Sequence, residues 1–463
     1  MKSSAEKKIF LKKAEKIAFD KVHREKIKFN ISRYDAAVAK GKAIYSNLDL
    51  ARDRAGYIKY KVINELEKFL VEFEDNFTKN GGKVIWAADE LEAVNAVLHI
   101  ARKNHVKKVV KSKSMTTEEI ELNAFLKQAN IESVETDLGE FIVQQAGQKP
   151  YHIVTPAMHM SKEDIAGLYH KKFNTDEYLS PEELTHFTRK LLREKFIHAD
   201  MGVSGANFLI ADIGGIALTE NEGNAMLSMS FPKIHIAIAG IEKLIPRLED
   251  LSLYWPLLAS HGTGQNMTVY NSIITGPKKG NEKDGPEQMY VILLDNGRTN
   301  LLAKERQRQA LSCIRCGACL NGCPVYKNIG GHTYDTTYSG PIGAVITPYM
   351  KDLKIYNHLS FASSLCGKCT EVCPVKIPIH QLLLVNRDDT VKNGYYTYFD
   401  KASIKVSTKV LMSRKVLDIT GGKMKNFGAG MFVEKVWGPR RELPKFADKS
   451  FSRQWREKQG DDE

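Results

Sequence analysis

The sequence predicts an α/β domain, then an all-α domain rich in cysteine, and finally a basic C-terminal tail. Between about 61 and 295, short β-branched apolar runs alternate with amphipathic segments, as in a sheet covered by helices. All seven cysteines lie between 313 and 373. Residues 391–463 carry 16 Lys and Arg against 9 Asp and Glu. We therefore expect four parts: an N-terminal helical segment (1–60), an α/β domain (61–297), a helical domain (298–390) and a basic C-terminal region (391–463).

Local signals predict the elements of the α/β domain. Ser180-Pro181 with Glu183 places Ser at an N-cap and Pro in the first turn of a helix. Thr116 with Glu119 reads as a second capping box, opening a helix to about 130. Further helices are expected at 62–76 and 89–105. Buried strands are predicted at 83–88, 106–110, 208–219, 234–241 and 290–294.

Composition narrows the class of protein. No apolar run reaches the roughly 18 residues that a membrane-spanning helix needs. The Lys-rich N-terminus lacks the apolar stretch of a secretory signal, so we expect a cytoplasmic protein. Residues 1–60 are also basic, with 16 Lys and Arg against 7 Asp and Glu. Solvated surface helices explain this charge; an acidic partner subunit or peripheral contact with an anionic membrane are alternatives. No recognition motif indicates a nucleic-acid partner.

The cysteines form two runs with the spacing of a two-cluster ferredoxin. The first is C-x2-C-x2-C-x3-C followed by Pro324, and the second is C-x2-C-x3-C followed by Pro374. In such proteins the last cysteine of one run ligates the cluster of the other run. The sequence therefore predicts two [4Fe–4S] clusters. Cluster 1 would be held by Cys313, Cys316, Cys319 and Cys373, and cluster 2 by Cys323, Cys366 and Cys369.

The second run lacks one cysteine. A complete motif would have cysteine at the position of Ser363, beside Ser364. Cluster 2 would then have three thiolates. Its fourth iron ligand stays open between a serine oxygen or water, a partner or substrate, and a histidine or carboxylate from elsewhere; a three-iron cluster is a further alternative. Zinc is disfavoured because seven cysteines with these spacers do not divide into zinc quartets.

Adjacent clusters of this kind indicate an electron-transfer protein. The first rival is an enzyme that uses the open iron of cluster 2 as a Lewis acid on a hydroxy acid. The second rival is a non-catalytic assembly subunit whose clusters only hold the fold together. No residue is predicted to be catalytic.

One polar loop of the α/β domain is a candidate ligand region. Asn221, Glu222, Gly223 and Asn224 lie between two apolar runs, where an open α/β sheet could bind a ligand at a strand end. A plain turn explains the same residues, since Asn and Gly tolerate positive φ. His235 interrupts an apolar strand and is read as either a hydrogen-bonded core histidine or a ligand-binding group.

Residues 201–250 resemble the lactate-utilisation (LUD) domain. The likeness rests on Gly205-Ala-Asn, Asp212-x-Gly214, Asn221-Glu-Gly-Asn224, Pro232, His235 and Gly240-Ile-Glu-Lys243. Together with the two cysteine runs, the whole chain resembles the lactate utilisation protein B family, in which the fourth cysteine of the second run is also missing.

The resemblance implies a function and partners. The α/β domain would share the fold of the sugar-phosphate isomerase and CoA-transferase superfamily. The chain would be the iron–sulfur subunit of a system that oxidises L-lactate to pyruvate. Its partners would be a cysteine-rich subunit and a second LUD-domain subunit. The family defines no catalytic residue that can be carried over to this chain.

Overall fold

A computed structural model describes residues 5–396, 398–415, 421–432 and 442–460. They fall into two compact units, Ser4–Lys392 and a C-terminal unit that begins at Asn393. In the described residues, no helix combines the length and apolar character needed to cross a lipid bilayer.

Four helices open the first unit. Asp20 and Asn47 cap the second and third helices, since their side chains accept hydrogen bonds from the amides of His23 and Leu50. The helices are α1 (Ala5–Ala18), α2 (Lys21–Lys42), α3 (Leu48–Asn64) and α4 (Leu66–Lys79).

A six-stranded parallel sheet forms the centre of the α/β region. Its spatial order is β1-β10-β7-β4-β2-β3, and every neighbouring pair is parallel. The central β7 is buried along its whole length, as expected for a strand covered on both faces. The strands are β1 (Lys83–Ala87), β2 (Lys108–Lys111), β3 (Glu132–Glu135), β4 (Met201–Ser204), β7 (Ile234–Gly240) and β10 (Gln288–Leu294).

The remaining strands form a smaller sheet in the order β8-β5-β6-β9. The single strand expected over 208–219 is wrong. It is an antiparallel pair, and the turn between its strands contains Gly214 at φ +56°. A side chain at Gly214 would meet the backbone of α4 at 2.1 Å, so this turn needs glycine for space as well as for conformation. The strands are β5 (Phe208–Ile210), β6 (Gly215–Glu220), β8 (Leu244–Ile245) and β9 (Tyr270–Ile274).

Helices connect and cover these strands. The predicted capping box at Ser180 is confirmed, with Pro181 in the first turn. The box at Thr116 is wrong: Ser114 is the N-cap, and the helix ends at Glu119 before a second one begins. The helices are α5 (Glu90–Lys103), α6 (Met115–Glu119), α7 (Leu122–Gln128), α8 (Leu138–Gln145), α9 (Lys162–Phe173), α10 (Pro181–Ile197), α11 (Asn224–Ser230) and α12 (Leu251–Gly262).

The regular elements between 298 and 392 are all helical. Two very short helices, each opened by a glycine at positive φ, lie within the cysteine runs. The helices are α13 (Arg298–Leu302), α14 (Ala318–Asn321), α15 (Pro324–Ile329), α16 (Gly340–Met350), α17 (Leu353–Phe361), α18 (Lys368–Glu371) and α19 (Ile379–Lys392), with 3₁₀ turns at Gln307–Ser312 and His332–Tyr334.

The N-terminal helices share one hydrophobic core with the cysteine segment. Phe10 of α1 and Ala55 of α3 belong to the same buried cluster as Cys316 and Cys373. Arg52 of α3 donates hydrogen bonds to the carbonyl oxygen of Cys373 at 3.0 and 2.9 Å. The N-terminal segment therefore covers the cysteine runs.

The helices of the C-terminal unit whose bounds lie in the described residues are α20 (Tyr398–Leu411), α21 (Gly422–Phe432) and α22 (Phe451–Gly460). Asn426 of α21 exchanges hydrogen bonds with the backbone of Phe446. Within the predicted basic region, residues 397, 416–420, 433–441 and 461–463 lie outside the described residues.

A buried ionic network ties the parallel sheet to the cysteine segment. Arg298, just after β10, makes two hydrogen bonds to Glu119 at 2.8 and 2.9 Å. Its Nε donates to Glu242, just after β7, at 2.6 Å. Glu242 also accepts from Arg315, which lies between two cysteines, at 3.2 Å. All four side chains are nearly inaccessible to solvent.

We expect Arg298→Met to lower the free energy of unfolding by about 3–5 kcal/mol, because Glu119 and Glu242 would stay buried without their main cation. The matched control is Arg247→Met, since Arg247 pairs with Glu249 at an exposed site, and its effect should stay within about 1 kcal/mol. Urea unfolding of anaerobically prepared protein, followed by circular dichroism, measures both. Equal effects of the two substitutions would contradict a structural role for the network.

Candidate iron–sulfur centre and adjacent cavity

The first cysteine run is a chain of tight turns. Arg315 has a φ of +61° and Gly317 a φ of +79°, and the short α14 follows directly. Cys323 is the N-cap of α15, with Pro324 in its first turn. These turns aim backbone N–H groups at sulfur: Arg315 N lies 3.4 Å from Cys313 Sγ, and Tyr326 N lies 3.5 Å from Cys323 Sγ.

The second run repeats this backbone fifty positions later in the sequence. Leu365 has a φ of +54° and Gly367 of +81°, and α18 takes the place of α14. The amide of Leu365 donates to Ser363 Oγ at 3.1 Å, as the amide of Arg315 donates to Cys313 Sγ. Ser363 therefore occupies the structural position of the missing cysteine.

The thiols fall into two groups by their electrostatic neighbours. Burial, followed by Cys313 and the other thiols of its group, raises the pKa of Cys319 well above its usual value. Burial and Cys313 raise the pKa of Cys373 to about 12. Burial and then Cys323 raise the pKa of Cys369 to about 11. Cys373 thus lies with the first run, while Cys323 lies with Cys366 and Cys369.

The spacing of the sulfurs fits a cluster better than a single ion. Among the described residues, which include all seven cysteines, no three cysteine sulfurs lie within 4.8 Å of one another. A tetrahedral zinc site with bonds of about 2.3 Å needs sulfurs only about 3.8 Å apart. Soft thiols in two wider groups, each approached by backbone N–H donors, suit iron–sulfur ligation.

The two groups differ in exposure. In the first group Cys316, Cys319 and Cys373 are buried and Cys313 is half-buried. In the second group Cys323 and Cys369 are buried and Cys366 is exposed. Lys368, beside Cys366, is half-exposed and forms an ion pair with Glu371 at 2.6 Å. The second group therefore reaches solvent at Cys366, where a partner or a small ligand could approach it.

A cavity of about 500 Å³ lies between the parallel sheet and the first group. Ser112–Ser114 follow β2, Gly205–Asn207 follow β4, and Arg298 follows β10, so the cavity opens at the carboxyl ends of the strands. The chain runs from β2 to β3 on one side, while β4 lies on the other side, which makes β2/β4 a topological switch point. Open α/β sheets bind ligands at this position. Cys316 lines the opposite wall.

One end of this cavity is cationic and the other is acidic. Lys243, Arg298 and Arg315 line the wall near Cys316, and Asp137, Glu220 and Glu222 line the far end. Burial and Arg315 lower the pKa of Lys243 to about 8. Burial raises the pKa of Glu242, but Arg298 and Arg315 outweigh it and bring this pKa down to about 2.

The predicted ligand loop borders the cavity, although its side chains are already engaged. Asn221 exchanges two hydrogen bonds with Gln265, each of 3.0 Å. Glu222 accepts from Leu138 N at 3.0 Å. Gly223 has a φ of +76° and precedes α11, whose first residue is Asn224. The first, second and fourth residues of the loop line the cavity.

His235 does not line that cavity; it is fully buried in β7. Its Nε2 lies 2.8 Å from Ser204 Oγ on the neighbouring strand. The prediction of a ligand role therefore has no contact with the cavity to support it. Two basic residues that do line the cavity, Lys243 and Arg298, were missed as site residues, although each follows a strand of the parallel sheet.

Comparisons with known proteins agree with this arrangement. The LUD domain family matches residues 70–294, and the 4Fe-4S dicluster domain family matches residues 309–377. A lactate utilization protein B of Bacillus pumilus is 45% identical over 347 residues, covering 75% of this chain and 73% of its own. That of Bacillus cytotoxicus is 42% identical over 394 residues, covering 84% of this chain and 83% of its own.

A crystal structure of a DUF162 family protein from Deinococcus radiodurans is 13% identical and has a TM-score of 0.28. It covers 50% of this chain and 98% of that one. This likeness is too distant to bear on the fold or the site.

The chain thus joins a LUD domain to a 4Fe-4S dicluster domain. It belongs to the lactate utilization protein B family, which confirms the resemblance seen in the sequence.

The burial of His235 predicts a pH dependence of stability. Burial lowers its pKa in the folded protein to about 4, against 6.5 for a free imidazole. Between these values the unfolded chain binds a proton that the folded protein does not. Acidification from about pH 6.5 to 4 should therefore remove about 1.4 kcal/mol of stability per pH unit through this group.

In urea unfolding we expect the stability advantage of the native protein over His235→Gln to shrink slightly between pH 7 and 6 and close to that slope between pH 6 and 5. The control is His198→Gln, because His198 is exposed. A stability difference for His235→Gln that stays constant with pH would contradict the burial of a neutral ring.

Proposed function

We propose that this chain binds two [4Fe–4S] clusters and serves as an electron-transfer subunit. Cys313, Cys316, Cys319 and Cys373 would hold cluster 1. Cys323, Cys366 and Cys369 would hold cluster 2, with its fourth ligand open. A bound cluster of this type supplies a one-electron redox centre. The observation that carries the proposal is the division of the thiols into two groups that exchange their last cysteines.

The chain's own groups support reversible reduction. Backbone N–H groups approach Cys313, Cys323 and Cys373, and such donors favour the more negative, reduced state of a cluster. Arg315 and Lys243 add positive charge near Cys313. Helices α1 and α3 and the smaller sheet share a hydrophobic core with the first group and exclude water from that side of it.

We further propose that the electrons come from the oxidation of L-lactate to pyruvate, in keeping with the names of the curated relatives. The partners would be a cysteine-rich subunit and a second LUD-domain subunit, and the electron acceptor is unassigned. The parts would be a helical segment (1–60), a LUD domain of the isomerase/CoA-transferase superfamily (61–297), a ferredoxin-like all-α domain (298–390) and a basic tail (391–463). The site of action would be the cytoplasm, with peripheral membrane contact as an alternative.

Two rival functions make different use of the same cysteines. A Lewis-acid enzyme would bind its hydroxy acid at the open position of cluster 2, and the exposure of Cys366 favours access there. An assembly subunit would need clusters that only stabilise the fold. Reduction of the clusters distinguishes a carrier from an assembly subunit, whereas a change in the iron spectrum on addition of L-lactate would indicate the enzyme.

The test is an anaerobic reductive titration followed by electron paramagnetic resonance. The native protein should contain about seven or eight irons and take up close to one electron per cluster. Cys373→Ala should alter the signal of the first-run cluster, and Cys323→Ala that of the second-run cluster. Clusters that resist reduction would support the assembly subunit, in which the clusters only stabilise the fold. If each substitution altered the signal of its own run instead, the exchange of ligands would be wrong.

Ser363→Cys should complete the second ligand set. The hydroxyl already lies where the first run has a sulfur, so a thiol there would reach the fourth iron without a change of backbone. We expect the iron content to rise to about eight and any three-iron signal to disappear in Mössbauer spectra. The control is Ser364→Cys, one residue along the exposed turn. If both variants behaved alike, Ser363 would not stand beside the cluster.

A further inference from the structure

One end of the cavity between the parallel sheet and Cys316 holds more positive charge than the carboxylates beside it neutralise. At its cationic end, Lys243, Arg298 and Arg315 face two carboxylates, Glu119 and Glu242, so one positive charge is in excess. The guanidinium of Arg298 is fully engaged by these carboxylates and by the carbonyl oxygen of Asp295. The excess therefore belongs to the other two cations, which lie between the cavity and Cys313 and can serve both.

Those two cations have free hydrogen-bonding capacity. The side chain of Arg315 is only 6% exposed, and its buried Nε and Nη1 atoms have no hydrogen-bond partner within the chain. Within the described residues, the ammonium of Lys243 makes no hydrogen bond or ion pair. Buried donors without partners are costly, so a site that holds several of them is suited to an acceptor from outside the chain.

The guanidinium of Arg315 is held in place. It stacks on the ring of Tyr338 with its carbon 4.3 Å from the ring centroid, and its Nη2 is bonded to Glu242. A fixed guanidinium beside a lysine is a suitable receptor for a planar carboxylate.

The other end of the cavity limits the ligand to one negative charge. Asp137, Glu220 and Glu222 line it, together with one cation among the described residues there, Lys113. Lys113 is already paired with Asp137 at 2.9 Å. A second carboxylate would face these acids and be repelled. Ser112 and Asn207 also line the cavity and offer partners for a hydroxyl or keto oxygen, whereas the hydroxyl groups of Ser114, Thr155 and Thr219 already form hydrogen bonds within the chain.

From these contacts we propose that this cavity is a binding site for a small monocarboxylic 2-hydroxy or 2-oxo acid, with its carboxylate on Lys243 and Arg315, next to Cys316. The identity of the acid rests on the proposed function, whereas the anion site rests on the cavity itself. The cavity is larger than a three-carbon acid requires, so longer 2-hydroxy acids would also fit. The site belongs to the first cysteine group and not to the open position of the second.

Calorimetric titration of the anaerobic holoprotein tests this site. L-lactate and pyruvate should bind saturably at about 10 mM or below, and malate at least about tenfold more weakly because of the acidic wall. Inorganic phosphate distinguishes a carboxylate site from a phosphate site. Phosphate or malate binding as tightly as lactate would overturn the proposal, as would the absence of saturable lactate binding.

Three variants locate the site. Lys243→Gln should weaken lactate binding at least about tenfold through the loss of a charged hydrogen bond. Lys243→Arg should retain most of the binding and shows that the position tolerates substitution. The matched control is Lys233→Gln. Lys233 is exposed and lies just before β7, whereas Lys243 follows β7, so lactate binding by this variant should be unchanged. Unchanged binding in Lys243→Gln, or equal losses at the two lysines, would overturn the assignment.

A reductive titration of the same samples separates the two proposals. Clusters that accept electrons in protein that binds no acid would leave the carrier function standing and overturn the cavity site. If the protein binds the acid but its clusters cannot be reduced, the cavity site would stand and the carrier function would be wrong.

Discussion

The arrangement of this protein depends on Glu242, a carboxylate buried among guanidinium groups. It follows the central strand and bonds to Arg298, which follows the adjacent strand, and to Arg315, which lies inside the first cysteine turn. Burial alone would disfavour its charge, but two guanidinium groups within 3.2 Å compensate for the lost water. This carboxylate thereby holds the first cysteine turn against the carboxyl ends of the central strands.

The same contact explains the glycine that closes β7. A side chain at Gly240 would place its first carbon 2.1 Å from Glu242 Oε2 and 2.3 Å from Arg298 Nε. Its φ of −66° is open to any residue, so space and not conformation requires glycine. The Gly240-Ile-Glu-Lys motif thus combines a close approach, a buried anchor and a cation that lines the cavity.

Sequence periodicity and spacing predicted the strands and the cysteine motifs because these are local properties. The expected strands at 83–88 and 234–241 lie within one residue of the observed bounds, and the strand expected at 290–294 begins two residues earlier, at Gln288. The helix start near Thr116 was misplaced because Ser and Thr residues at 114, 116 and 117 compete, and the position where β2 ends decides among them. The order of the strands follows from pairing between distant segments, which periodicity does not encode.

The site shows the same limit. Lys243, Arg298 and Arg315 are far apart in sequence and belong to different motifs, so only the fold brings them to one wall of one cavity. The loop at 221–224 attracted attention because polar residues interrupted apolar runs there. Most of its polar groups complete bonds within the chain. The polar loop thus indicated where the cavity lies, but it did not identify the side chains whose hydrogen-bonding groups have no partner within the chain.

The cavity and the first cysteine turn share Arg315, so a charge bound at one of them affects the other. Arg315 has its backbone N–H on Cys313 Sγ and its guanidinium on the cavity wall. Lys59, buried behind Glu242, donates to two carbonyl oxygens beside it, and burial lowers the pKa of Lys59 to about 7. An anion on the cavity wall would neutralise part of this positive charge, and in a buried setting that change is only weakly screened.

Any negative charge that accumulates on the first cysteine group would then be less well compensated while an anion occupies the cavity. By reciprocity, an acid should bind less tightly to the reduced protein than to the oxidised one. The direction of this coupling follows from charge alone, because both sites draw on the same two or three cations.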